Sequence, residues 1–524
     1  MLTVSVRTLS CIGLLAVLVG LSSAEVRGQD PSWTQKNKET TDLPTLGSNT
    51  VDVLAAAGDS LWIGPDFLGL DRLEVINRPA PDAEDAFVFS IEARNETAER
   101  VWAGLAFDVG GRELGAGGFL ASNDGGSSFE RRDPQLDVSG DTEISYGDNV
   151  LEAEPITQQA GSAPQDLAFG PGSDTVWVAG RRSGLRWIDL EKPRSEQRWH
   201  RAVLPPDDST SVDPANTNDF LVAPLNDNHI VFRVLVDEEG IVWAGTPEGL
   251  NRSRAGSVTA TGQRAWDRFG NDEPDSKLPA DFVVALAEQP RSETRNPIWV
   301  ATFPSGVAVT GDGGSTFQEF LTGESIFDLA ARDSVTYAIS SEKLFALKEK
   351  KSGGLEQAEI RAFPIQNNEI PATRELGSVA VTDTALWVGT SEGLLRLDRV
   401  DEPALLTEDP EWTLLRARTP VNPETPTEEA PDVSTYAYPN PFVPARDEFV
   451  RITYELDEPG SVEINIYDFA MNRVRTLTDH NQAGQHETRW HGTDEQGLRV
   501  PTGAYIYTVE AGGHTVDGKI LVAN

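Results

Sequence analysis

Apolar and polar residues alternate along this chain in short runs separated by turn-forming clusters. The runs "AFVFSIEAR" (86–94) and "HIVFRVLVDEEG" (229–240) show the pattern, the second ending in acidic residues and glycine. Alternation with period two over roughly four to eight residues predicts β-strands with one face buried. A polar turn follows each run, then a strand centred on an aromatic residue, then a Gly-Leu pair opening a third strand, as in "GIVWAGTPEGLNRS" (240–253). Several copies end in a fourth strand led by an aromatic: "RWHRAV" at Trp199, "AWDRFG" at Trp266 and "EWTLLR" at Trp412.

The unit recurs. Its aromatic anchors are Trp62, Trp102, Trp177, Trp243, Trp299, Tyr337 and Trp387, seven positions spaced 38 to 75 residues apart. Tyr337 stands in a degraded copy, "DSVTYAISSEKLFAL". Uneven spacing around a constant core predicts loops of varying length, and four antiparallel strands repeated seven times predict a seven-bladed β-propeller. The aromatic should fill the wedge between neighbouring blades, and the glycine should allow a turn that a Cβ would block. An open solenoid is the alternative, but it needs capping repeats, and none is visible.

Beyond residue 418 the pattern changes. Residues 419–434, "TPVNPETPTEEAPDVS", combine prolines and acidic residues without apolar period, which predicts a semi-rigid linker. Residues 435–524 then hold six or seven short strands, which predict an immunoglobulin-like sandwich without the disulfide of antibody domains. The fold class expected is therefore all-β, a seven-bladed β-propeller over 49–418 plus a C-terminal immunoglobulin-like β-sandwich.

Residues 1–24 carry a basic Arg7, an apolar run from Leu9 to Leu21 and the small residues Ser22-Ser23-Ala24, the grammar of a secretory signal. A retained anchor is the alternative, although the run is shorter than the ~20 apolar residues of a span. Residues 25–48 form an N-terminal segment before the first blade. Cys11, the one cysteine, precedes most of the apolar run, where a lipidation cysteine should follow it. A processed chain would have no disulfide, so its core must hold it together.

With 83 acidic and 44 basic residues the net charge is −39, and only nine of the basic residues are lysine. Such a surface repels nucleic-acid phosphates. Few lysines in an acidic chain resemble the proteins of salt-adapted organisms; an ordinary acidic secreted protein is the other reading.

The phrase "VDEEGIVWAGTPEGLNRS" and its period resemble the two-component-regulator propeller repeat of bacterial sensor ectodomains and secreted proteins. No membrane helix or kinase follows the repeats, so signalling across a membrane is not expected. "SNDGGSSF" (122–129) and "TGDGGSTF" (310–317) resemble the Asp box. There Asp124 and Asp312 should accept turn N–H groups, Gly126 and Gly314 should take positive φ, and Phe129 and Phe317 should enter the core. In sialidases and other propeller glycosidases this box is structural, lying away from the active centre. The tail motifs "YPNPF" (438–442), "VEINIYD" (462–468), "WHGTDEQG" (490–497) and "PTGAYIYTVEAGG" (501–513) resemble the FlgD-type Ig-like domain and the C-terminal sorting domains of the type IX secretion system. That resemblance implies passage across an outer membrane, followed by cleavage or anchoring, with Trp490, Gly492, Gly497 and Gly503 as structural residues. A plain immunoglobulin-like spacer is the alternative.

Catalytic chemistry is thin. His200 and His229 of the propeller, and His480, His486, His491 and His514 of the tail, match no metal or nucleophile spacing. "VDEEG" and "GNDEPD" lack the order of a calcium loop and read as acidic turns. Arg181-Arg182 could join a sialidase arginine triad, but a surface pair is the simpler reading. No catalytic residue, metal or cofactor is expected.

The function expected is a secreted or surface-displayed propeller that binds a glycan, peptide or envelope component and is exported by type IX-like machinery. A carbohydrate-active hydrolase or lyase on the same scaffold is one alternative, and an accessory component of that machinery is another. The insertions between Trp102 and Trp177 and between Trp177 and Trp243, including 204–220, are expected to build a shared rim beside the channel.

Overall fold

The computed structural model describes most residues between Val51 and Ala523. Outside the described residues lie 1–50, 66–70, 73–86, 216–225, 364–375, 399–411, 416–434 and some shorter runs. The proposed signal, the N-terminal segment and the whole linker of 419–434 therefore fall outside them. The chain folds as two units, one ending at Ala417 and one beginning again at Arg418.

In the first unit seven antiparallel sheets follow one another along the chain, numbered here as blades 1 to 7. Their first strands are Val51–Ala57, Phe87–Asn95, Pro164–Phe169, Arg233–Val236, Phe282–Glu288, Asp328–Arg332 and Leu376–Val381. Each first strand is hydrogen-bonded on one side only, to the second strand of its own blade. Each also touches the first strands of the blades before and after it, and the seventh returns to the first. The cycle closes, with the seven free strand edges around the axis. It is a β-propeller, not an open solenoid.

The aromatic anchors explain the closure. All seven lie on second strands and are buried. Trp62 packs against blade 2, Trp102 against blade 3, Trp177 against blade 4 and Trp243 against blade 5. Trp299 packs against blade 6, Tyr337 against blade 7, and Trp387 against Val51, Leu61 and Ile63 of blade 1. One ring per blade fills each wedge, and truncating a buried ring of that size costs about 3–5 kcal/mol. Small residues make room beside the anchors. A Cβ on Gly245 would lie 2.6 Å from a Val283 methyl of the next blade. One on Gly249, which opens a third strand at φ 123°, would lie 2.2 Å from the Phe269 carbonyl oxygen.

The second unit contains two sheets. One joins Ala437–Tyr438, Val450–Leu456 and Gly484–Trp490; the other joins Gly460–Tyr467, Arg473–Asn481, Gly503–Ala511 and His514–Val522. Between them Phe442, Val450, Ile464, Trp490, Tyr507 and Ile520 belong to one buried apolar core. Period two is visible in Gly503–Ala511, where Tyr505, Tyr507 and Val509 point inward.

Candidate functional site

The repeat places side chains around the axis by register. Opposite the seven anchors, the first strands carry Ala55, Glu92, Ala168, Leu235, Ala287, Ala330 and Ala380. Two residues earlier they carry Val53, Ser90, Asp166, Arg233, Ala285, Asp328 and Ser378. Glu92, Asp166, Arg233 and Asp328 are the charged members of this otherwise uncharged set.

The free edges of the first strands explain two of them. A strand edge facing a channel leaves N–H groups that need acceptors. One Asp166 oxygen accepts Leu167 N–H at 3.0 Å and the other accepts Val234 N–H of blade 4 at 2.9 Å. Asp328 repeats the arrangement with Leu329 and Val379 of blade 7, both at 2.9 Å. Ser90 links blades by a different bond, donating to the Pro164 carbonyl at 2.8 Å. The first strands of neighbouring blades share no ladder, so these side chains tie them together.

The same groups interact electrostatically between blades 3, 4 and 6. Burial pushes Asp166 up to about 6; Arg233 and the accepted N–H bonds oppose this, and the Asp328 carboxylate adds to it. Burial also raises Asp328, again against its N–H bonds and Arg233. Glu92 keeps some solvent access but is enclosed by neighbouring strands. That enclosure raises it to about 7, with Arg94 pulling down and Asp166 pushing up. Asp166 thus couples to Glu92, to Asp328 and to Arg233, and all three carboxylates lie above their ordinary values.

The other chemistry-bearing residues build turns. Asp237 of "VDEEG" accepts Ile241 N–H at 2.8 Å and the Trp243 indole N–H at 2.9 Å. Gln289 accepts the Trp299 indole and Thr382 that of Trp387 from the same turn position in their blades. Asp124 accepts Ser128 N–H and hydroxyl at 2.9 and 2.6 Å, while Ser122 Oγ accepts Gly126 N–H. Asp312 does the same with Thr316, and Thr310 Oγ1 accepts Gly314 N–H. Both turns join third to fourth strands, away from the axis. Phe129 and Phe317 are half-buried at seams between blades, edge-on to Trp62 and Phe269.

The insertion after blade 2 folds into a hairpin, Glu143–Tyr146 with Asn149–Glu152. Its root is fixed by Asp137, which is buried against Arg186 and Arg201 and accepts Ile156 N–H. Tyr146 at the tip enters the seam between blades 3 and 4 and donates to the Arg264 carbonyl. The second insertion meets the first, since a Cβ on Gly147 would lie 2.4 Å from the Pro214 oxygen. The expected rim beside the channel is not what its described part forms. Ser211–Val212 pairs with Trp266–Asp267 as a fifth strand on the outer edge of blade 4, opposite the edge that faces the axis. The apolar Val212 finds its partner there, and residues 216–220 lie outside the described residues.

Burial lowers both propeller histidines to about 4. His200 stacks on Trp187, and His229 is buried with no hydrogen-bond partner for Nδ1 among the described residues. Arg182 donates to Gln158 and so braces the insertion, while Arg181 stands over the Phe232 ring. No group of three His, Cys, Asp or Glu able to hold a metal is found among the described residues.

In the second unit Trp490 fills the core and donates its indole N–H to the Thr493 carbonyl. Gly492 has φ 65°, and a Cβ there would meet the Phe442 ring at 2.7 Å. Gly497 has φ 78° in a turn whose Asp494 carboxylate accepts Gln496 and Leu498 N–H. Gly503 opens a strand, with Tyr505 3.9 Å from its Cβ position. Sequence reasoning missed Asp166, Arg233, Asp328 and Glu92 altogether. Their signal was position, two or zero residues from the one opposite each anchor.

The fold and site define an all-β protein with a propeller, a coupled charged cluster on its first strands and a C-terminal β-sandwich. Residues 446–514 match the family model of the FlgD Ig-like domain. No curated protein matches the chain. Among solved structures it is similar to PorZ, a surface component of the type IX secretion system of Porphyromonas gingivalis. That match has 13% identity over 90% of this chain and 70% of the other, with a TM-score of 0.26. The extracellular domain of a hybrid two-component system from B. thetaiotaomicron matches at 12% identity over 93% and 87%, with a TM-score of 0.28. A chain of the Mitotic Checkpoint Complex matches at 11% over 72% and 100%, with a TM-score of 0.44. These scores are low, and the architecture stands on the strand pairing itself. No helix among the described residues is long and apolar enough to cross a membrane.

Proposed function

We propose that this protein is exported and displayed at the cell surface, where its propeller binds a glycan, peptide or envelope component without turning it over. The observation that carries the reading is the FlgD Ig-like match over 446–514, behind a propeller and a signal-like start. In this reading residues 435–524 direct type IX-like export, Trp490, Gly492, Gly497 and Gly503 keep that domain folded, and the anchors and Asp-capped hairpins keep the propeller rigid. Rigid scaffolds with variable loops are built to bind. Asp166 and Asp328 already hold two N–H groups each, which supports a structural role over acid–base chemistry.

Deleting 435–524 in the native host tests the export half: the propeller should fold and accumulate in the periplasm, and normal surface delivery would remove the sorting role. A glycan and peptide array on the purified propeller tests the binding half. The hydrolase reading has one observation in its favour, a Glu92 raised to about 7, as a general acid needs. Product release from a polysaccharide panel, lost in Glu92→Gln, would establish that reading instead.

A further inference from the structure

We propose that two turns of the C-terminal domain, 468–472 and 494–498, form a tip that contacts the surface of a phospholipid bilayer. Phe469, Met471 and Leu498 lie on these turns and are 83%, 57% and 66% exposed. Large apolar side chains that project from turns contribute nothing to the core they are attached to. Clustered exposure of this kind marks an interaction site.

The turns are built to hold those side chains still. One Asp468 oxygen accepts Asn472 N–H at 2.8 Å and the other accepts its side-chain amide at 2.9 Å. Met471 sits at φ 62°, a conformation in which Gly or Asn would be less strained. In the neighbouring turn Asp494 accepts Gln496 and Leu498 N–H, both at 2.9 Å. The turns are also tied to each other. Glu495 N–H donates to the Val474 carbonyl, Thr476 N–H to the Glu495 carboxylate, and Arg475 to the Asp494 carbonyl. Capping and bracing therefore occupy the carboxylates of Asp468, Asp494 and Glu495, while Arg473 and Arg499 flank the turns in exposed positions.

Charge and shape select the occupant. Exposed apolar side chains on two adjoining turns, with Arg473 and Arg499 beside them, fit a soft medium with phosphates at its surface, because insertion there needs no complementary pocket. The net charge of −39 opposes approach to an anionic leaflet. A zwitterionic bilayer presents the same phosphates without that repulsion.

The test is vesicle flotation of protein beginning at Glu25, so that the apolar run of Leu9 to Leu21 cannot partition by itself. With phosphatidylcholine vesicles at ~0.15 M salt, where fields fall off within ~8 Å, the protein should float. The Phe469→Ser/Met471→Ser/Leu498→Ser variant should partition at least about tenfold less. Val138→Ser, which alters an exposed valine of the propeller, should change nothing. Phe469→Trp should retain binding, and its indole should be quenched by nitroxide-labelled lipid, an outcome that does not depend on the triple variant folding. Failure of the unaltered protein to float, equal flotation of the triple variant, or an unquenched indole would each overturn the proposal. So would loss of binding to a purified envelope protein with vesicle binding unchanged.

Discussion

The carboxylate of Asp166 reaches from blade 3 to the backbone N–H of Val234 on blade 4, 2.9 Å away. Asp328 makes the same reach to Val379. Removing either side chain leaves two backbone N–H groups without their acceptor. Asp166→Ala and Asp328→Ala should each destabilise the propeller by about 1–3 kcal/mol. Asp166→Asn keeps one acceptor oxygen and should cost less. Denaturant melts at pH 7 measure the differences, and an alanine variant as stable as the unaltered protein would refute the inter-blade role.

The same cluster sets a pH dependence. Burial raises Glu92 from 4.5 to about 7 and Asp166 from 3.8 to about 6. Between those limits the folded protein holds protons that the unfolded chain has released, so stability falls as pH rises. This contribution is fully present below the unfolded values and lost by about pH 7. His200 and His229, lowered to about 4, act the other way between about pH 4 and 6.5. The melting temperature should therefore fall as pH rises from about 6.5 to about 8, where only the carboxylates still titrate. Glu92→Gln should flatten the upper part of that slope, and a slope unchanged by it would assign the effect elsewhere. Asp124 and Asp137 lie below their ordinary values and act in the opposite direction at lower pH.

The blade grammar was legible because it is local. An aromatic flanked by small residues, a glycine at a third-strand start and an Asp four residues before a Ser or Thr each fix structure within one hairpin. The channel was not legible, because Asp166, Arg233 and Asp328 share a level only after first strands from blades 3, 4 and 6 are set in register. Shifts of register in blades 1, 2, 3, 5 and 7 displace that level further from any simple count. The insertion at 204–215 was misplaced for a related reason. It is polar and turn-rich, but Val212 opposite Trp266 pulls it to the outer edge.

Asp137 was equally hidden, an acidic residue in a polar stretch whose partners lie 49 and 64 residues away. Burial alone would raise its pKa, yet the bonds from Arg186, with Arg201 nearby, hold it below the ordinary value. Asp137→Ala leaves two buried guanidinium groups without their carboxylate, and breaking such a cluster costs about 3–5 kcal/mol. The hairpin rooted there should loosen first. Limited proteolysis should cut the variant within 138–156 under conditions that leave the unaltered protein intact; equal resistance would make the cluster dispensable.

Glycine substitutions separate strain from crowding. Gly126 has φ 79°, and a Cβ there would lie 2.4 Å from the Trp62 ring of the neighbouring blade. Gly172 has φ 59° with nothing within 4 Å of its Cβ position. Gly172→Ala should cost about 1 kcal/mol from backbone strain alone. Gly126→Ala adds a clash with a buried indole and should cost about 2–4 kcal/mol. Equal losses in denaturant melts would mean that the hairpin can shift off the ring.

Salt should stabilise this protein. Its 83 acidic residues outnumber the 44 basic ones, so uniform repulsion opposes the compact state. Specific pairs such as Arg254–Asp267 and Arg252–Asp267 work the other way and weaken with salt, but exposed pairs of that kind contribute at most about 1 kcal/mol each. Repulsion arising from the excess of carboxylates over basic groups is longer in range and is relieved as the Debye length shortens from about 10 Å at 0.1 M to about 3 Å at 1 M. The melting temperature at pH 8, where Glu92 and Asp166 add to the negative charge, should rise steadily over that interval. The rise should be smaller at about pH 5, because protons then do part of what salt does. A midpoint that is flat or falls with salt at pH 8 would mean that paired charges govern the fold and that the acidic surface serves another purpose.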